Sequence, residues 1–142
     1  MRLFLLAFIS ISFSAIAQPD AVRKHVQQQQ QSLLTEYMQF LAIPNVMGDS
    51  VNIQRNAAFI VKMMEARGIK TQLFSVPAKG ASPLVYGEVN VPGATTTIGF
   101  YAHYDEQPVN PAQWAKGLSP FVPQLTTDRL DRGGVFVTDN KI

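Results

Sequence analysis

The 142-residue chain contains no cysteine, so no disulfide framework can stabilise it. Its stability must come from a hydrophobic core or from a bound metal ion. The chain also lacks an excess of charge of either sign, with 12 Lys and Arg against 10 Asp and Glu. A nucleic-acid partner would require clustered basic side chains, and this balance argues against one. Histidine is scarce as well, with two residues in the whole chain.

The chain also lacks an uninterrupted apolar run of the ~20 residues that a membrane span needs. Its first 17 residues instead combine a basic Arg2, an apolar stretch interrupted by serines, and the small-x-small pattern of residues 15–17. These features are typical of a cleaved signal peptide, with an uncleaved anchor as the alternative. We therefore expect residues 18–142 to be secreted or periplasmic and free of the membrane. Cleavage would remove one of the 12 basic residues and leave 11 against 10 acidic ones.

The spacing of apolar residues predicts a first amphipathic helix over residues 20–43, and Pro44 ends it. A run of five glutamines, Gln27–Gln31, lies in its middle. Because glutamine is a good helix former, we interpret the run as a solvated helical face rather than as a low-complexity interaction segment. His25 lies close to this run, and we expect it at the surface without a functional role.

A second helix is predicted between the loop at residues 45–50 and Gly68. Asp49 and Ser50 can cap its first turn, and glycine commonly follows the last turn of a helix. Its apolar stripe, which buries one side, is Ile53, Ala57, Ile60 and Met64.

Four later segments predict β-strands because of their alternation or their content of β-branched and aromatic residues. They are residues 71–76, 84–91, 95–102 and 135–137. Pro92-Gly93 is a strong turn signal, so we expect the second and third strands to form an antiparallel hairpin. Two helices followed by strands indicate an α/β or α+β fold. No further helix is predicted to cover the other face of the sheet, so we expect the domain to be incomplete.

The third predicted strand leads directly into His103 and Asp105. In open α/β sheets, ligands bind where such strands end. Alternate residues of an extended segment project to the same side, so the imidazole and the carboxylate can face one site. A neutral imidazole is a good zinc ligand, and a nearby carboxylate can fix its tautomer and raise its basicity. The alternative is a surface or hydrogen-bonded structural histidine, and one His-x-Asp does not decide between them.

The residues around His103 and Asp105 give a more specific signal than the pair alone. Residues 99–109, GFYAHYDEQPV, resemble a motif of the zinc-dependent exopeptidase and amidohydrolase family, which includes carnosinase-type dipeptidases, carboxypeptidase G, aminoacylase and succinyl-diaminopimelate desuccinylase. Members of that family carry an apolar strand, a small residue and then His-x-Asp, and Gln-Pro follows in the dipeptidase branch. Three more segments resemble family segments in the same order, so the likeness covers residues 33 to about 134. They are residues 43–46 (IPNV), residues 65–71 (EARGIKT), and Trp114 with residues 120–123 (PFVP).

The resemblance implies the N-terminal part of a zinc-exopeptidase catalytic domain, an α/β fold with two helices and a mixed sheet. It implies that His103 is a zinc ligand and that Asp105 serves catalysis by hydrogen-bonding the imidazole. The family's site holds two zinc ions about 3.5–4 Å apart, bridged by an aspartate and a water whose proton a glutamate takes. The implied substrate is a dipeptide or an acylated amino acid, whose amide bond is hydrolysed. The complete enzyme would also carry a dimerisation domain, with a homodimer as the implied assembly.

Two positions depart from the family pattern. Glu106 replaces a small apolar residue, and along a strand it should point away from the site. Residues 138–141, TDNK, are similar to the string that carries the bridging aspartate, but the Arg-rich approach that should precede it is missing. Residues 129–134 look more like a loop that long members carry upstream of that string. Asp139 is therefore either the bridging ligand or a surface turn residue, and we favour the turn residue.

We therefore expect one piece of an exported metal-dependent peptidase. It would be inactive by itself, because a catalytic zinc needs three protein ligands and the glutamate base is absent. The alternative is a small exported binding module that uses the glutamine-bearing helix as its contact surface and is indifferent to zinc. A structural partner completed by a second polypeptide is a third interpretation.

Overall fold

The computed structural model describes residues 19–78 and 81–138, which form a small α/β fold. Helix α1 spans Pro19–Leu41 and helix α2 spans Ser50–Glu65, while strand β1 spans Lys70–Phe74 and strand β2 spans Leu84–Glu88. After β2, the described part of the chain is irregular apart from two short 3-10 helices, Pro111–Gln113 and Leu130–Arg132, and isolated β-bridges.

The expected signal peptide at residues 1–17 lies outside the described residues. Among the helices that are described, none is long and apolar enough to cross a membrane.

Both ends of α2 form where the sequence predicts them. A side-chain oxygen of Asp49 accepts a hydrogen bond from the backbone N–H of Asn52 at 3.1 Å, which satisfies one of the free donors of the first turn. Past the last turn, Gly68 has a φ of +74°, and the N–H of Ile69 donates to the carbonyl oxygen of Met64 at 3.0 Å. Glycine takes this left-handed conformation at no steric cost, so the helix ends here.

The core of the described residues is small and centres on α2. Ile53 and Ala57, two members of the predicted apolar stripe, are the buried hydrophobic side chains within residues 19–78 and 81–138. Phe40 of α1 stacks on Phe59 of α2 with ring centroids 5.8 Å apart, so α1 packs on α2. Helix α2 also contacts both strands. Helix α2 is therefore the layer that packs on the sheet, and α1 contacts α2 through Phe40.

Strands β1 and β2 pair antiparallel, from Lys70 opposite Glu88 to Phe74 opposite Leu84. The first two predicted strands are thus confirmed, although each is shorter than expected. The sheet has the order β1-β2 and no third strand in the described part of the chain. The mixed sheet that we expect from the family resemblance is therefore an antiparallel pair here.

The prediction of a strand at residues 95–102, paired with residues 84–91 in a hairpin, is wrong for the described structure. The predicted turn does form, because the N–H of Ala94 donates to the carbonyl oxygen of Val91 at 3.1 Å. Pro92 and a Gly93 with φ of +78° give this turn the signature of type II. Type II turns splay the chains on either side, whereas hairpins favour the types whose twist matches paired strands. The two arms consequently separate after the turn.

Residues 95–102 form no regular secondary structure and are solvent-exposed. No backbone hydrogen bond joins them to any other described residue. The side chains of Ile98 and Phe100 are 74% and 94% exposed. The fourth predicted strand, residues 135–137, contributes a single isolated antiparallel bridge between Phe136 and Thr126.

Candidate functional site

The loop between α1 and α2 fixes the backbone of the His-x-Asp segment. The N–H of Glu106 donates to the carbonyl oxygen of Asn45 at 2.8 Å, and the N–H of Met47 donates to the carbonyl oxygen of Glu106 at 2.8 Å. The side-chain amide of Asn45 donates to the carbonyl oxygen of Tyr104 at 3.2 Å. The segment that follows the exposed residues 95–102 is thereby attached to the body of the protein.

Helix α2 holds this loop in turn through one buried polar side chain. Asn56 is 1% exposed, and its side-chain amide donates to the carbonyl oxygen of Pro44 at 2.8 Å and to that of Asn52 at 2.9 Å. A buried amide needs such partners because burying it unpaired is costly. The chain of contacts from Asn56 through Pro44 and Asn45 therefore links the helix core to the site.

His103 and Asp105 contact each other, as the alternation of side chains predicts. The Nδ1 atom of His103 lies 3.3 Å from the Oδ1 atom of Asp105. The imidazole is 70% exposed and the carboxylate 25% exposed. The ring is thus largely exposed, and the acid is the more buried of the two. Their roles as metal ligand and as the acid that serves catalysis stay predictions.

The second oxygen of Asp105 has its own partner. The hydroxyl of Ser82 donates to Oδ2 of Asp105 at 3.1 Å. The hydrogen bond with the His103 ring holds the pKa of the Asp105 carboxyl below its usual value; partial burial opposes this, and the bond from Ser82 adds to it. The carboxyl is therefore an anion at neutral pH and can only accept hydrogen bonds.

A second hydrogen bond joins the same two segments. The hydroxyl of Tyr104 donates to the carbonyl oxygen of Pro83, and Pro83 is itself buried. Burial raises the pKa of Tyr104, and the nearby charge of Asp105 raises it further. Tyr104 consequently stays a neutral donor at physiological pH, and residues 82–83 stay attached to residues 104–105.

Tyr101 covers the other nitrogen of the imidazole. Its hydroxyl lies 3.0 Å from Nε2 of His103, and the two rings meet edge to face with centroids 5.3 Å apart. Because Asp105 is an acceptor, the neutral imidazole carries its proton on Nδ1 and presents a lone pair on Nε2. The hydroxyl of Tyr101 therefore donates to the atom that a metal ion would use.

The imidazole lies at the rim of an open apolar groove of about 490 Å³. The groove runs between the two helices and residues 100–104. Its apolar lining includes Leu33, Phe40, Ile60, Met63, Met64 and Val85. Glu106 instead lines a different groove, beside Trp114 and Phe121. The expected direction of its side chain, away from the imidazole, stays a prediction.

Around His103, the described residues offer a metal ion one imidazole and do not complete a zinc site. Within residues 19–78 and 81–138, no group of three His, Cys, Asp or Glu side chains could hold an ion. A catalytic zinc takes three protein ligands, so the donors present fit a single ligand position. Asp139, the alternative bridging ligand, lies outside the described residues. His25 is exposed on α1, as expected.

Sequence reasoning missed two residues of this site, Ser82 and Tyr101. The alternation that places His103 and Asp105 on one side also places Tyr101 there, so the sequence pattern could have predicted the position of Tyr101. Ser82 is 23 positions away from Asp105. Its contact depends on how β2 begins, and no local pattern signals it.

Comparison of the chain with protein-family models, with curated proteins and with solved structures finds no match.

Proposed function

We propose that this chain contributes one ligand to a metal-dependent hydrolase that cleaves amide bonds of dipeptides or acylated amino acids. The observation that carries the proposal is the arrangement around His103. One ring nitrogen contacts a carboxylate, and the other, which the hydroxyl of Tyr101 contacts, belongs to an exposed ring at the rim of an apolar groove. The order of the resembling segments supports the finer proposal, the N-terminal part of a zinc-exopeptidase catalytic domain.

Asp105 has a defined task in this proposal. Asp105 accepts a hydrogen bond from the N–H at Nδ1, orients the ring and increases the basicity of Nε2, as carboxylates behind metal-bound histidines do. Ionised Asp105 also compensates part of the charge that a cation brings to the site. A bound zinc ion supplies the activation of water and of the amide carbonyl that hydrolysis at neutral pH needs.

The remaining ligands, the bridging aspartate and the glutamate base must come from outside the described residues. We accordingly propose two zinc ions and a homodimer only for the complete enzyme, and export through the N-terminal signal peptide for this chain. The described residues by themselves should show no hydrolytic activity, because one imidazole does not hold a catalytic zinc.

The exposed face of α1 favours a second candidate, an exported binding module. Val22 and Val26 are 64% and 48% exposed on this helix, next to the glutamine run at residues 27–31. Apolar side chains beside amides suit a contact with another protein. This candidate predicts a chain that is indifferent to zinc.

A zinc titration of the purified chain followed by NMR separates the two candidates. With two histidines in the sequence, His25 serves as an internal reference for His103. We expect saturable changes in the His103 ring signals and no comparable change at His25. The His103→Ala variant should lose the response.

Equal responses of both rings would indicate adventitious binding and would remove the basis for the hydrolase proposal. The same holds if His103→Ala leaves the zinc response intact. No response at all would favour the binding module.

A further inference from the structure

The carboxylate of Asp105 is held at both oxygens by groups from different parts of the chain. Oδ1 lies 3.3 Å from the ring of His103, and Oδ2 accepts from the hydroxyl of Ser82 at 3.1 Å. Ser82 lies in the segment that precedes β2. It is not within the His-x-Asp motif, and the proposed function gives it no task.

The backbone around Ser82 is well fixed. The residue before a proline is restricted to extended conformations, and Pro83 follows it. Pro83 is buried, and its carbonyl oxygen accepts a hydrogen bond from the hydroxyl of Tyr104. The hydroxyl of Ser82 is therefore presented to Asp105 from a backbone that Pro83 and the hydrogen bond from Tyr104 constrain.

A carboxylate with one partner rotates readily, because the terminal torsion of aspartate is broad. With Oδ2 held by Ser82, Oδ1 stays in front of Nδ1 of His103. The hydrogen bonds made at the two ring nitrogens of a neutral histidine decide which nitrogen carries the proton. A fixed Oδ1 therefore favours the tautomer with its proton on Nδ1 and its lone pair on Nε2.

We propose that Ser82 is a positioning residue: its hydroxyl orients the Asp105 carboxylate and so fixes the tautomer of His103 that presents Nε2 to a ligand. The value of this tautomer for metal binding rests on the proposed function, whereas the positioning itself does not.

The experiment measures the imidazole tautomers in the metal-free full chain through ¹⁵N chemical shifts, at a pH where both rings are neutral. Three variants are compared with the unchanged chain: Ser82→Ala, Ser82→Thr and Asp105→Asn. Ser82→Ala should lower the ratio of the Nδ1–H to the Nε2–H tautomer of His103 by about two- to tenfold, the range for loss of one hydrogen bond. Ser82→Thr keeps the hydroxyl and should restore the ratio. His25 should not change in any variant.

An unchanged tautomer ratio in Ser82→Ala would overturn the proposal, and so would a fall in Ser82→Thr as large as that in Ser82→Ala. If Ser82→Ala does not fold, Ser82→Cys takes its place, because it keeps the shape and has a weak donor. It should lower the ratio, and an unchanged ratio would again overturn the proposal.

Zinc binding measured on the same variants distinguishes the two proposals. A tautomer that responds to Ser82→Ala in a chain without a zinc response at His103 supports the positioning and contradicts the proposed function. A zinc response at His103, together with a tautomer ratio that does not change in Ser82→Ala, supports the proposed function and contradicts the positioning.

Discussion

Replacing Asn56 with alanine tests the link between the helix core and the site. The side chain is 1% exposed and donates two hydrogen bonds, to the carbonyl oxygens of Pro44 and Asn52. Asn52 lies one turn earlier in α2, so its carbonyl keeps the helical hydrogen bond, whereas the carbonyl of Pro44 loses this partner. Two lost bonds, one half-buried acceptor left unpaired and a small cavity together predict about 2–4 kcal/mol less free energy of unfolding.

Urea unfolding followed by circular dichroism and by the fluorescence of the single tryptophan measures this loss. Because the loop at Asn45 binds the segment at Glu106, the Glu106 amide should also exchange its hydrogen faster in Asn56→Ala. Asn90→Ala is the matched control, since Asn90 is exposed, and it should change stability by less than about 0.5 kcal/mol. The reasoning is refuted if the two variants are equally stable, or if exchange at Glu106 does not respond.

Three further predictions concern Asp105 and Tyr101, the two side chains that contact the His103 ring. Asp105→Asn should weaken zinc binding at His103 about 10–100-fold without altering the circular dichroism, and a loss smaller than twofold would contradict its orienting role. Tyr101→Phe should strengthen zinc binding about two- to tenfold in calorimetry, because the hydroxyl no longer competes for Nε2; unchanged affinity would show that it does not compete. Since the pKa of Asp105 is lowered in the folded chain, its stabilising contacts should be complete above its ordinary pKa of about 3.9 and be lost as the pH falls through the lower folded value. The difference in urea midpoint between the unchanged chain and Asp105→Asn should therefore shrink in acid, and a constant difference down to pH ~2 would refute the assignment.

Local signals predict the helical part of this fold well. Pro44 and Gly68 stop their helices for backbone reasons that hold in any context, and the Asp49 cap forms within its own turn. The contact between His103 and Asp105 is of the same local kind, because alternation along two residues places them together.

The failures occur where a segment needs a partner from elsewhere in the chain. Residues 95–102 have the composition of a strand, but that composition shows only that the segment would fit into a sheet. A strand also needs a neighbouring strand to pair with, and composition does not provide one. Pro92-Gly93 predicts a turn correctly, yet the left-handed Gly93 selects a turn type that separates its arms. The bond from Ser82 likewise depends on tertiary placement, which neither composition nor spacing encodes.

The exposed segment from Thr95 to Tyr101 has a consequence for the behaviour of the chain in concentrated solution. Seven residues without a charge or a proline, with both peptide edges open, form a template on which identical chains can stack. Fibrils growing from this point would incorporate the residues immediately before His103. Dilution, or a lysine in place of Ile98, should keep the imidazole accessible for longer.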